Sequence, residues 1–162
     1  MFEYAPAPES TAVVDIAAHY GLFIDGTFVD TIDGTTFKTV NPATEEVLSE
    51  ITEAGAADVE RAVKAARAAY KQTWSKLPGR ERAKYLYRIA RIIQERSREL
   101  AVLETLDNGK PIRESRDVDL PLVAAHFFYH AGWADKLGHA GYGERAYGVA
   151  AQIIPWNFPL LM

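Results

Sequence analysis

The hydrophobic period of this chain changes once, near Gly55, and that change limits what the chain can fold into. Before it, short apolar stretches are separated by turn dipeptides. After it, apolar residues recur every three or four positions, the spacing of an amphipathic helix. The expectation is an α/β chain with a small strand ribbon, a helical layer on it, and a return to strand near the end.

The ribbon is marked by its turns. GLFIDGTFVD holds two apolar stretches around Asp25-Gly26, a dipeptide that tolerates the tight turn of a hairpin. Asp33-Gly34 and the stop at Asn41-Pro42 frame a further strand around Phe37 to Val40, and Glu46 to Thr52 can add another. Residues 1–19 mix Pro, Ala and acidic residues without a sustained period, and read as an arm with a short helix near Ala12 to His19.

The first helix presents Val59, Ala62, Val63, Ala66, Ala69 and Tyr70 on one face, with Asp58 and Glu60 in a first turn where the helix dipole favours negative charge. A second follows Pro78 and turns Leu86, Ile89, Ala90 and Ile93 inward. Ser97 is placed to cap a third helix through Leu106, which Asn108-Gly109 and Pro111 stop. A fourth runs from about Asp119 to Leu137, with Val123, Phe127, His130 and Ala134 at helical spacing. Residues 20–136 thus form the ribbon and helices, 137–148 a glycine-rich connection, and 149–162 a final strand with the start of another helix.

Several function classes are excluded at this level. With a net charge of -4 over 162 residues and no cluster of Lys and Arg free of acidic neighbours, nucleic acid is not an expected partner. No apolar run reaches membrane-spanning length, and MFEYAPAPES lacks the pattern of a secretory signal, so the expected location is the cytoplasm. The absence of cysteine removes disulfides, zinc-thiolate sites and any cysteine nucleophile from this chain.

Val149 to Ile154 is a nearly continuous apolar run of the kind found in strands covered on both faces, and Pro155 ends it. A lone strand of this type cannot satisfy its own edges, which suggests that the chain is part of something larger. Pro155, Trp156 and Asn157 would lie at the strand's carboxyl end, where open α/β sheets bind ligands. An Asn157 amide there can donate to a carbonyl oxygen acquiring negative charge. On spacing alone, capping of the following helix is the better reading of Asn157, and Trp156 reads as a core aromatic.

The segment Gln152 to Met162 resembles the strand, asparagine-bearing turn and helix start of the aldehyde dehydrogenase superfamily. Val40 to Glu46, Asp58 to Ala69, Leu103 to Pro111 and Ala131 to Asp135 agree with it in order, so the resemblance runs from about residue 20 to the end. It implies the N-terminal portion of that fold: hairpin ribbon, helical layer, and first strand of the dinucleotide-binding sheet. It implies that Asn157 is catalytic, its amide holding the oxyanion of a thiohemiacetal. Ile153, Ile154, Pro155, Trp156 and Asn157 would line the cleft of NAD or NADP, although no G-x-G-x-x-G is present. Main chain near Thr39 or Val40, with the Asp107 carboxylate, would hold a monovalent cation; locally, Asp107 reads equally well as a residue of a helix end.

What the resemblance implies for the parent is oxidation of a small-molecule aldehyde to a carboxylic acid by a homo-oligomer. The cysteine nucleophile, glutamate base and ribose-binding lysine of the family would lie beyond Met162, so this chain alone is expected to be inactive. The link from Lys136 to Tyr147 is shorter than in typical members, where that stretch gives a strand used in oligomer contacts. The alternative is a non-catalytic interaction or regulatory module docking through its unpaired strand. His126 and His130, one turn apart, have no third metal ligand in view and read as ordinary helix histidines.

Overall fold

The structure is a computed structural model, and it describes residues 9–141 and 146–162. Five short strands come first: β1 (His19–Tyr20), β2 (Leu22–Ile24), β3 (Thr27–Val29), β4 (Thr36–Val40) and β5 (Val47–Thr52). β2 and β3 pair antiparallel across Asp25 and Gly26, whose φ angles of 53° and 81° are the positive pair that a type I′ turn needs. β5 is the middle strand of a separate sheet, antiparallel to β4 and parallel to β1. The β4–β5 register slips between Thr39 and Val40, leaving Leu48 as the extra residue of a bulge.

Helix α1 (Ala56–Gln72) starts at a capping box built by Asp58. Its carboxylate accepts from the Gly55 N–H at 3.1 Å, from the Thr31 hydroxyl, from the Ile32 N–H at 3.3 Å and from Arg61 at 3.1 Å. One buried side chain therefore ties the exit of the ribbon to the start of the helical layer. The Thr31 hydroxyl above all, then the two backbone donors and Arg61, hold the Asp58 carboxyl below the usual carboxylate range against the opposing effect of burial.

Helices α2 (Gly79–Glu95) and α3 (Ser97–Asn108) follow, then α4 (Ile112–Glu114), a π-helical stretch Ser115–Asp119, and α5 (Leu120–Trp133). Ile93, Ala101, Leu120, Val123 and Ala124 form the core between α2, α3 and α5, with Ile112, Phe127, Phe128 and Leu161 packed on it. Full burial of a side chain such as Leu120 or Val123 stabilises by about 1.5–3 kcal/mol. α2 and α5 approach so closely at one point that a Cβ on Gly79 would lie 2.3 Å from the Ala134 carbonyl oxygen.

Several expectations need correction. Only a three-residue 3-10 turn, Thr11–Val13, forms where a helix near Ala12 to His19 was expected. His19 and Tyr20 instead take the open edge of β5, which satisfies their backbone groups better than a short exposed helix would. Ser97 caps nothing: α2 and α3 are separated only by Arg96, so Ser97 is already the first helical residue. Val59, Ala66, Ala69 and Ile89 are exposed, because no described element covers that part of α1 or that side of α2. His130 is exposed as well, its Nδ1 engaged with the His126 carbonyl at 2.8 Å.

The largest difference concerns Val149 to Ile154. No strand forms there, and residues 149–154 make no backbone hydrogen bond among the described residues. A strand exists only through a neighbour, and the two sheets present do not take these residues up. Part of the 137–148 connection, residues 142–145, lies outside the described residues.

Candidate active site

The residues singled out near the end of the chain sit on a turn rather than at a strand end. The Phe158 N–H donates to the Pro155 carbonyl at 3.2 Å, closing Pro155, Trp156, Asn157 and Phe158 into one turn. The Met162 N–H then donates to the Phe158 carbonyl at 3.2 Å, a single helical turn where the start of another helix is expected. Asn157 is exposed, and its side chain neither caps this turn nor bonds to any other described residue. Both N–H donors of its amide are thus available to a ligand.

Ile153 and Trp156 stand in solvent at 101% and 81% exposure, and Ile154 and Pro155 are exposed with them. The structure keeps these residues adjacent but does not fold them into a walled cleft. What docks is the segment after Asn157. Leu161 packs on the helical core, Phe158 lies under Lys110, and Pro159 and Leu160 form one wall of a cleft of about 400 Å³.

That cleft also receives the candidate cation residues. Its opposite walls include Thr39 from β4 and Asp107 from the last turn of α3, and the Thr39 hydroxyl donates to Asp107 Oδ1. The bulge beside Thr39 re-aims the strand at this point. Val40 is exposed on the other side of the bulge and takes no part in the cleft lining. Apart from this pair, no group of three His, Asp or Glu residues among those described is arranged to hold a metal ion, and His126 and His130 stay an exposed helix pair.

Sequence reading missed a buried ionic cluster directly behind the turn. Lys110 Nζ donates to Glu104 Oε1 at 3.2 Å and to Asp119 Oδ2, and lies 4.0 Å from the centre of the Phe158 ring. The three charged side chains are nearly sealed from solvent, at 12%, 4% and 2% exposure for Lys110, Glu104 and Asp119. Burial, together with the Asp119 carboxylate beside it, pushes the Glu104 carboxyl above its usual range. Burial alone would lower the Lys110 ammonium, but its two carboxylate partners carry it above the usual lysine range. Lys110 lies between the stop signals Asn108-Gly109 and Pro111, and nothing in its local spacing marks it as buried. The π-helical stretch that turns Asp119 inward leaves no signature in a single sequence.

A hairpin ribbon laid on a helical layer, ending in an asparagine turn beside a mostly apolar cleft, corresponds in order and spacing to one family of oxidoreductases. The sequence model of the aldehyde dehydrogenase family matches residues 28–162, and the chain belongs to that family. It is 46% identical over 156 residues to "Aldehyde dehydrogenase family 2 member B4, mitochondrial" of Arabidopsis thaliana, a match covering 90% of this chain and 29% of the relative. To "Benzaldehyde dehydrogenase, mitochondrial" of Antirrhinum majus it is 41% identical over 152 residues, covering 87% and 28%. The fold is similar to that of an aldehyde dehydrogenase from Bacillus cereus solved as its NAD+ complex. There the TM-score is 0.69 and the identity 45%, over 71% of this chain and 24% of that one. The chain therefore spans less than a third of the length of these relatives. It has the mixed α/β architecture of the N-terminal part of the family's structures.

Proposed function

We propose that this chain is the N-terminal part of an NAD-dependent aldehyde dehydrogenase, in which the Asn157 amide donates to the aldehyde oxygen as negative charge develops on it. The family match running through the Pro155 to Pro159 turn carries this reading, and the disengaged amide of Asn157 supports it. NAD is favoured over NADP by the cofactor named for the Bacillus cereus structure. When bound, NAD accepts the hydride that leaves the former aldehyde carbon.

The residues present fit a dinucleotide in part. Ile153, Ile154 and Trp156 offer exposed apolar surface, and the backbone groups of residues 149–154 are free of partners among the described residues, as a ligand held through main chain requires. The sequence holds no G-x-G-x-x-G to cradle a phosphate. The role of this chain's residues is to bind and orient. Asn157 presents its N–H donors, and the strip from Ile153 to Trp156 shields one side of the reacting centre. The attacking thiolate must come from outside a cysteine-free chain.

The Asp107 carboxylate and the main chain at Thr39 and Val40 complete the reading as a monovalent cation site, supported by the Thr39 to Asp107 contact and by a second carboxylate oxygen without a described partner. Replacing lithium with potassium should raise the melting temperature, and D107N should remove the difference. The assembly is proposed to be a homo-oligomer. No described helix is long and apolar enough to cross a membrane, and the proposed location is the cytoplasm, whereas two relatives are named as mitochondrial.

The mechanism is tested by mixing the purified chain with NAD+ and an aldehyde and following absorbance at the NADH band. Cysteine-dependent chemistry predicts no turnover, and sustained turnover would refute the assignment. In the intact parent, N157A is expected to lower kcat by about 10²–10³. A second reading, a non-catalytic docking module, is favoured by the exposed Ile153 to Trp156 strip. It wins if the coding sequence stops after Met162 and the chain is stable and soluble.

A further inference from the structure

Asn157 is held in place by very little. Upstream of its turn, residues 149–154 make no backbone hydrogen bond, and its own side chain is unengaged among the described residues. The turn closes on Phe158, and Phe158 is where the turn meets the body of the protein.

At Phe158 the contact is an ammonium, while the apolar anchor, Leu161 on the helical core, lies three residues further on. Lys110 has three N–H donors; Glu104 and Asp119 accept from it, and the Phe158 ring lies 4.0 Å away. The two acids come from different elements, Glu104 from α3 and Asp119 from the π-helical stretch. Pulled from two directions, the ammonium cannot swing away. A cation fixed in this way, and largely desolvated, attracts the negative face of an aromatic ring more strongly than an exposed one. Glu104 Oε2 is buried without a partner, so the cluster has more acceptor capacity than Lys110 can satisfy, which resists any loss of the ammonium.

We propose that Lys110 is the positioning residue of the Asn157 turn: held by Glu104 and Asp119, its ammonium seats the Phe158 ring and so sets the direction in which the neighbouring amide is presented. The proposal rests on the oxyanion reading of Asn157 for its purpose, though not for its geometry. Lys110 does not touch the reacting atoms. It acts through Phe158, and any aromatic face at position 158 should serve.

The test is NMR of the 162-residue chain. In the wild type, the Lys110 Hε protons should be shifted upfield of those of the other lysines by the ring current of Phe158. F158L should return them to the ordinary lysine position and speed amide exchange at Met162 about tenfold, with Ala101 and Ala124 unchanged. F158W should restore both. K110M strands two buried carboxylates and is expected to loosen the whole helical layer, so F158L, which leaves the ionic cluster whole, is the deciding variant. Unshifted Lys110 Hε protons in the wild type, or unaltered Met162 exchange in F158L, would overturn the proposal. If F158L also speeds exchange at Ala101 and Ala124, the wild-type shift alone decides. None of these readouts depends on turnover, so the anchor and the oxyanion reading can fail independently.

Discussion

Single side chains carry much of the order in this fold, and Asp58 is the clearest case. It accepts from the ribbon and from the start of α1 together, so its charge is worth more folded than unfolded. Because its folded-state pKa lies below the unfolded value, the stabilisation is full above the ordinary carboxylate range and is lost as pH falls through the folded-state value. Acid titration followed by circular dichroism should show that loss, and D58A should flatten it. Gly109 is a second case. It ends α3 with a φ of 78°, and a Cβ there would meet Pro42 Cγ at 2.7 Å. G109A is therefore expected to cost about 1–3 kcal/mol in urea unfolding, more than the strained φ alone would. Asn108-Gly109 was legible as a helix stop because its cause is local. The contact with Pro42, and the Lys110 cluster beyond it, join residues distant in sequence and could not be read there.

At the scale of elements, the helical layer is held by close approach as much as by apolar volume. α2 meets the end of α5 at Gly79, where an added Cβ would lie 2.3 Å from a carbonyl oxygen and 2.8 Å from Asp135 Cα. Neither atom can move without the helix end moving. G79A should lower stability by about 1–3 kcal/mol, whereas G138A, with open space around it, should be near neutral. Comparing the two urea midpoints separates overpacking from a general effect of alanine. The hairpin at Asp25-Gly26 and the period of α1 and α2 were legible because each depends on residues within a few positions. The parallel pairing of β1 with β5 was not, since it joins His19 to a partner 31 residues away through a backbone ladder.

The whole molecule leaves a large apolar surface open. Phe23, Phe28, Val59, Ile153 and Trp156 are each more than half exposed, and the covering that their pattern calls for is not among the described residues. The isolated chain is expected to bind a dye such as ANS and to self-associate as concentration rises. I153K should raise the soluble concentration without changing the melting temperature, because the wild-type side chain is fully exposed and makes no packing contribution. An unchanged aggregation threshold in I153K would move the cause to the hairpin or to α1.

The order of ribbon, helices and asparagine turn was determined by local chemistry: turn dipeptides, helical spacing and a proline-bounded segment act within a few residues of themselves. Tertiary structure alone decided that Val149 to Ile154 stays unpaired and that Phe158 settles on Lys110. Strand pairing and burial of charge depend on which distant groups arrive at the same place, and the spacing of residues along one chain does not encode that arrival.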